Sequence, residues 1–133
     1  MRTITERHLA LHERLREDIE EAISRYRDHF NNLVQTSGVG HRFKLDTSEI
    51  DSFLQNGTNL NVYWSFAEGG GYSDSGRYSI PIMGLDHNHY KRVAQAEVDA
   101  IKELEKAKTL AIAGKIQQEK LAQFEKLKKE LGL

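Results

Sequence analysis

The chain has 133 residues, enough to bury a core without staples, and by its length we expect a single domain spanning 1-133. It contains no cysteine, which excludes disulfides, thiolate metal ligands and cysteine nucleophiles. The formal net charge of −1 is less basic than is usual for a nucleic-acid-binding protein. No signal-peptide pattern opens the chain and no segment has the roughly 18 apolar residues of a membrane span, so we expect a cytoplasmic protein.

Residues 3-35 are predicted to form a long amphipathic helix. The segment has no glycine or proline, and its apolar residues recur every three or four positions. Thr3 or Thr5 is suited to cap the first turn, and the glycine at position 38 is suited to end the last one.

The sheet region is predicted to span 41-83. Its first part is predicted as a short strand at 41–45, with Arg42 and Lys44 pointing outward, followed by a two-turn helix. Asp46 and its neighbours provide capping oxygens for that helix, and Gly57 provides the left-handed residue to end it. A hairpin turn at Asn56-Gly57 is the alternative interpretation.

The clearest strand signal lies between Asn59 and Met83. Apolar residues alternate with polar ones from Leu60 to Phe66, and a second alternating run begins at Arg77. The glycine-rich segment 67-76 separates the two runs, which predicts a hairpin with a long tip. The parity of the first strand predicts that Trp64 lies in the core.

Residues 87-131 are predicted to form a second long helix, with Asp86 at its start. The segment contains no proline and one interior glycine, Gly114, where the helix either bends or continues. Helices this long exceed what a three-stranded sheet can cover. They can pair with each other as an antiparallel hairpin or with copies in another subunit, and we expect an arrangement that includes the second, a homo-oligomer through the long helices with coiled-coil contacts.

The predicted fold class is α+β: a small, mostly antiparallel three-stranded sheet with long N- and C-terminal amphipathic helices, in the order α-β-α-β-β-α. The sheet is expected to pack one face on the helices and to leave the other face polar.

Two histidine pairs have spacings that also occur in metal sites. His8 and His12 lie one helical turn apart, and His87 and His89 follow Asp86 in a His-x-His spacing. The spacing i,i+2 converges on one ligand only in an extended backbone, and the second pair is predicted to lie at a helix start. We therefore predict no metal and no cofactor.

Outward aromatic and basic residues on the sheet, together with the tip, are the predicted partner-binding residues. Tyrosine and arginine are typical of protein-binding hot spots. The set comprises Arg42, Lys44, Tyr63, Tyr72, Asp74 and Arg77.

The favoured hypothesis is a non-catalytic, oligomeric binding module that engages a partner protein, of the kind that viruses and plasmids use as accessory inhibitors. One alternative is a nucleic-acid or nucleotide-binding protein that uses the outer sheet face, where aromatic rings stack on bases and cations pair with phosphate. The second alternative is a metal-dependent hydrolase built on His87 or His89 with nearby carboxylates.

Overall fold

The computed structural model describes residues 4–132 and contains two long helices and three strands. In chain order these are α1 (Glu6–Ser37), β1 (Glu49–Asn56), β2 (Asn59–Ala67), β3 (Ser73–Pro81) and α2 (Tyr90–Glu130), with 3-10 turns at His41–Phe43 and Ile82–Leu85. The strands form one antiparallel sheet in the order β1-β2-β3. The α+β class is confirmed, with an antiparallel three-stranded sheet that follows one long helix and precedes another along the chain.

The chain divides into two compact units, Met1–Val98 and Asp99–Leu133. The first contains α1, the whole sheet and the first turns of α2. The second is the remainder of α2, which stays helical through Gly114. Among the described residues, neither helix is apolar over a length sufficient to cross a membrane.

The core of the first unit is formed by one stripe of α1, one face of the sheet and the first turns of α2. Its buried side chains are Ile23, Tyr26, Phe30 and Val34 on α1, Leu60, Val62, Tyr78 and Ile80 on the strands, and Ala94 and Val98 on α2. The α1 residues recur at intervals of three and four, so they lie on one side of the helix. Within the described chain no charged side chain is fully buried.

The connection after α1 differs from its prediction. Gly38 ends the helix with a φ of 83°, as expected. Residues 41–45, however, form no strand: His41–Phe43 is a 3-10 turn, in which the carbonyls of Gly40 and His41 accept hydrogen bonds from residues three positions later. The side-chain amide of Asn31 donates to the carbonyl of Leu45 at 2.8 Å and accepts from its N–H at 2.7 Å. The backbone of Leu45 therefore bonds to a side chain and not to a strand.

The predicted two-turn helix before Gly57 is also wrong, since β1 occupies these residues. Asp46 does accept a hydrogen bond from a backbone N–H, that of Ser48 at 2.7 Å, but this closes a local turn that leads into a strand. Such turns and helix caps use the same side chains, so sequence alone does not separate them. The alternative interpretation is correct: Gly57, with a φ of 63°, lies in a tight hairpin turn between β1 and β2.

The helix boundaries lie within a few residues of their predictions. Thr5 is the N-cap of α1, and its backbone N–H donates to Nδ1 of His8 at 3.2 Å; Thr3 lies outside the described residues. α2 begins at Tyr90, and the backbone carbonyl of Asp86 accepts hydrogen bonds from His89 and Tyr90 just before it. The element order is therefore α-β-β-β-α in place of α-β-α-β-β-α.

Gly84 allows the closest approach between α1 and the segment that follows the sheet. A Cβ atom at this position would lie 2.6 Å from the ring of Tyr26, which is itself only 2 % exposed. The backbone angles at Gly84 are ordinary, so the requirement for glycine is one of space.

Gly84→Ala is expected to lower the free energy of unfolding by about 1–3 kcal/mol, because the added methyl group forces a buried ring to move. Urea unfolding followed by circular dichroism measures the change. Gly40→Ala is the control, since its Cβ would lie 3.8 Å from its nearest neighbour and its φ of −63° suits alanine. Equal stability of the two variants would contradict the packing of Tyr26 on Gly84.

The two core tyrosines predict a loss of stability in alkali. Burial, with a smaller contribution from the charge of Glu97, raises the pKa of Tyr26 far above its usual value. Burial also raises the pKa of Tyr78, although the positive charge of Arg27 opposes the shift. The unfolded chain therefore releases these protons at a lower pH than the folded chain, near pH ~10. The contribution of these two tyrosines to the free energy of unfolding is therefore fully present below that pH, and it is lost as the pH rises above it.

We expect the urea midpoint to fall between about pH 9 and pH 11, the range in which an ordinary tyrosine ionises. Tyr26→Phe should reduce this fall, because phenylalanine keeps the ring and removes the ionisable hydroxyl. The measurement is a series of urea transitions across the range. An unchanged pH dependence in Tyr26→Phe would show that Tyr26 does not contribute to it.

Candidate functional site

Tyr63 and Arg77 are direct neighbours on the outer face of the sheet. They are paired across β2 and β3, and they alternate with the buried residues Val62 and Tyr78. Both side chains therefore point away from the helices. Tyr63 is half-buried by its neighbours on the central strand, whereas Arg77 is exposed on the edge strand. The structure brings together these two predicted residues.

Arg42 and Lys44 do not lie on the sheet, because the predicted strand that carried them is a 3-10 turn and the segment that follows it. The guanidinium of Arg42 lies 4.7 Å from the ring centroid of Phe43. Nζ of Lys44 donates to Oε1 of Gln35 near the end of α1, at 3.1 Å. The predicted outward placement of these two cations on the sheet is therefore wrong.

Tyr72 lies in the loop of the hairpin between β2 and β3, whereas Asp74 lies near the start of β3. The predicted tip 67-76 is therefore too long, because β2 extends to Ala67 and β3 begins at Ser73. The backbone N–H of Glu68 donates to the carbonyl of Tyr72 at 2.8 Å and closes the loop, in which Gly70 and Gly71 have positive φ. Asp74 pairs with Phe66 across the strands and accepts a hydrogen bond from the backbone N–H of Ser75. The ring of Tyr72 contacts that of Phe66, with centroids 5.7 Å apart.

Three aromatic rings therefore follow one another toward the tip, and we call Trp64, Phe66 and Tyr72 the aromatic ladder. The rings of Trp64 and Phe66 are nearly parallel, with centroids 6.4 Å apart. Trp64 and Phe66 are half-buried, and Tyr72 is 59 % exposed. The ladder continues the core face of β2 beyond Leu60 and Val62 to a part of the sheet that remains accessible to solvent.

Gly76 explains the position of the indole. It is the partner of Trp64 across the strands, and a Cβ atom at Gly76 would lie 2.5 Å from the Trp64 ring. The indole thus lies across the bare backbone of β3. Aromatic side chains that cover a glycine on a neighbouring strand in this way help to fix strand register.

Trp64 confirms the predicted strand parity but not full burial. The sequence contained a signal that the core ends before it: on β3 the inward positions of Ile80 and Tyr78 are followed, toward the tip, by Gly76 and Asp74. Neither residue offers an apolar side chain to a helix. The ladder is the surface that the sequence interpretation missed.

The two histidine pairs make contacts of other kinds. His8 interacts through Nδ1 with Thr5 at the start of α1. Nδ1 of His87 lies 3.2 Å from a guanidinium nitrogen of Arg25, whereas Nδ1 of His89 lies 3.1 Å from a carboxylate oxygen of Asp86. The backbone N–H of Asn88 and the ring of His89 both lower the pKa of Asp86. Residues 4–132 contain no group of three or more histidine, cysteine or acidic side chains arranged to hold a metal ion.

The sequence matches no protein-family model, no curated protein and no solved structure. We therefore infer function from the geometry of the exposed surfaces.

Gly76→Ala is expected to displace the Trp64 indole, because the new methyl group occupies the space of the ring. Trp64 is the only tryptophan, so its fluorescence reports this site alone. Emission should shift to longer wavelength as the indole becomes more exposed, and stability should fall by about 1–2 kcal/mol.

Gly69→Ala is the matched control in the tip. A Cβ at Gly69 would meet no atom within 4 Å, and its φ is not positive. Its emission spectrum should remain that of the parent protein. An unchanged spectrum in Gly76→Ala would contradict the contact between Trp64 and Gly76.

Proposed function

We propose that this protein is a non-catalytic binding module that engages a partner protein through the aromatic ladder and the adjoining edge strand β3. The observation that carries the proposal is the ladder itself, a row of contacting aromatic rings that extends from the core to an exposed tip. Aromatic side chains provide large contact areas and lose little conformational entropy on binding, which is why they dominate hot spots at protein interfaces.

The position of the ladder on a sheet supports this role. Trp64 and Phe66 lie on the central strand, whose backbone is hydrogen-bonded on both sides, and Gly76 fixes the position of the indole. Binding residues on a rigid element need less ordering when a partner arrives. Tyr72 extends this surface onto the loop, where the glycines permit adjustment.

The Tyr63–Arg77 pair provides a second contact on the opposite face. Within the described chain β3 pairs only with β2, so it is a sheet edge whose outer backbone groups face away from the sheet. A partner that approaches this edge reaches the ladder on one face and Tyr63–Arg77 on the other. A single partner can therefore use Tyr63, Tyr72, Asp74 and Arg77, which lie on both faces.

We further propose that copies of the chain associate through their long helices. On α1, the exposed Leu11 and Leu15 continue the stripe that is buried further along the helix. The second unit exposes its own apolar side chains, which are Leu104, Leu110, Ile112, Ile116, Leu121, Phe124, Leu127 and Leu131. Association would remove such surfaces from water.

One feature supports the nucleic-acid alternative: Tyr63 and Arg77 are neighbours on the outer face, where the ring can stack on a base and the cation can pair with a phosphate. A phosphate-binding surface requires several cations, and Arg42 and Lys44 lie outside the sheet. Binding of this kind would weaken steeply as salt concentration rises. The role of an accessory inhibitor stays a prediction.

Tyr72→Ala is expected to weaken binding of the partner protein by about 2 kcal/mol, roughly thirty-fold, because it removes the most exposed ring of the ladder. The tagged protein is purified gently from its source cells, and native mass spectrometry identifies any retained protein and the number of copies of the chain. The affinity of each variant for that protein is then measured.

Phe124→Ala is the matched control, since Phe124 is an equally exposed aromatic residue of the second unit. Phe124→Ala should leave partner binding intact. If it changes the number of chains in the oligomer, Phe124 lies in the contact between copies. If Tyr72→Ala retains the partner at full affinity, the ladder is not the binding surface. A retained nucleic acid in place of a protein would favour the alternative.

A further inference from the structure

A groove next to the ladder carries a strong negative charge. It lies between α1 and the segment that leads into β1, and we call it the acidic groove. Its carboxylates are Glu13, Glu17, Glu20, Glu21 and Glu49, while Arg16 and Arg27 are the cations along it. The groove has a volume of about 590 Å³. This concentration of charge contrasts with the formal net charge of −1 for the whole chain.

Both arginines of the groove already have acceptors. Arg16 pairs with Glu20 at 3.1 Å and also donates to the backbone carbonyl of Asp51. Arg27 pairs with Asp28, outside the groove, at 3.2 Å. The ion pairs within the described residues leave Glu13, Glu17, Glu21 and Glu49 without a cationic partner. These four carboxylates are therefore available to a ligand.

The acidic groove and the aromatic ladder meet at Ile50. Ile50 lines the groove and is the partner of Trp64 across β1 and β2, so the two side chains lie on the same face. The ladder adds Asp74 beside Phe66, and the tip adds Glu68, whereas residues 65–76 contain no lysine or arginine. The combined surface is aromatic at one end and acidic along its length.

We propose that this surface binds a basic segment of the partner protein, rich in lysine or arginine. Cations are attracted both to carboxylates and to the faces of tryptophan and tyrosine, so one chemistry fits the groove and the ladder together. A nucleic acid is disfavoured here, because its phosphates would meet glutamates. The proposal rests on the proposed function, since it names the chemistry of the partner at the same surface.

The test uses an octa-arginine peptide as the probe and an octa-glutamate peptide of equal length as its counterpart. Isothermal titration measures binding to the full chain, and Trp64 fluorescence reports whether the ladder takes part. We expect saturable binding of octa-arginine with a change in Trp64 emission, weakening as salt rises. Octa-glutamate should not bind.

The variant Glu17→Gln/Glu21→Gln/Glu49→Gln removes three of the unpaired charges and should weaken octa-arginine binding by about tenfold, since each exposed charge contributes a small factor. The control Glu103→Gln/Glu119→Gln/Glu125→Gln removes the same charge from exposed positions of the second unit and should bind like the parent. Equal weakening in both variants, or binding without a change in Trp64 emission, would overturn the proposal.

A titration with Ca²⁺ alone provides a separate arm. Stoichiometric binding of Ca²⁺ that is lost in the groove variant would assign the groove to a cation and overturn the basic-segment proposal. If octa-arginine does not bind while Tyr72→Ala still loses the captured partner, this inference fails and the proposed function stands. If octa-arginine binding depends on the groove while Tyr72→Ala keeps its partner, the groove is supported and the ladder as partner site fails.

Discussion

The structure of the first unit depends on the packing of one stripe of α1 against one face of the sheet. A small antiparallel sheet with one apolar face gains stability when a helix covers that face. Ile23, Tyr26, Phe30 and Val34 provide that cover, and the first turns of α2 add Ala94 and Val98. Tyr26 also packs its ring against the backbone of Gly84 in the turn after β3, where a larger residue does not fit.

The helices cover the sheet along only part of the strands. The candidate site lies where this cover ends. Leu60 and Val62 on β2 are buried, but Trp64 and Phe66, the next two residues on the same face, are only partly covered. On β3 the inward side chains end at Tyr78, and Gly76 leaves the space that the indole occupies. One physical cause, the end of the helical cover, therefore accounts for both the core and the exposed ladder.

Periodic patterns predicted the long elements well, because periodicity reports burial over many residues. The helices, the hairpin of β2 and β3, and the parity that places Trp64 with Val62 all follow from spacing. The short segments failed for a different reason. Asp46 bonds a nearby backbone N–H in a turn as it would at a helix start, and only pairing of β1 with β2 decides between the two. The hairpin that makes this pairing has its own local signal, Asn56-Gly57, so the sequence contained two competing local signals and did not rank them.

The candidate site was predicted only in part, because strand periodicity brings some of its residues together and contacts between distant segments bring the others. Tyr63 and Arg77 were placed on one face because each strand has a clear period of two, and the structure pairs them directly. Arg42 and Lys44 were placed on the outer face of the sheet only through the incorrect strand at 41–45. The acidic groove involves residues of α1 and residues 47–50, which are far apart in sequence, so no local pattern predicts it.

The two faces of the sheet carry different charges, and this difference determines which face attracts a basic partner. Arg77 lies on the outer face with Tyr63, whereas the helix-facing side carries Asp74 beside Phe66 and leads through Ile50 to the glutamates of α1. A partner with a basic segment is attracted to the second side and repelled by Arg77 on the first. Because the ladder also lies on the second side, attraction by charge and contact with aromatic rings favour the same approach. Arg77 lies on the edge strand β3, where a partner bound to the second side can reach around the edge. An acidic or polar part of the same partner could therefore contact Arg77.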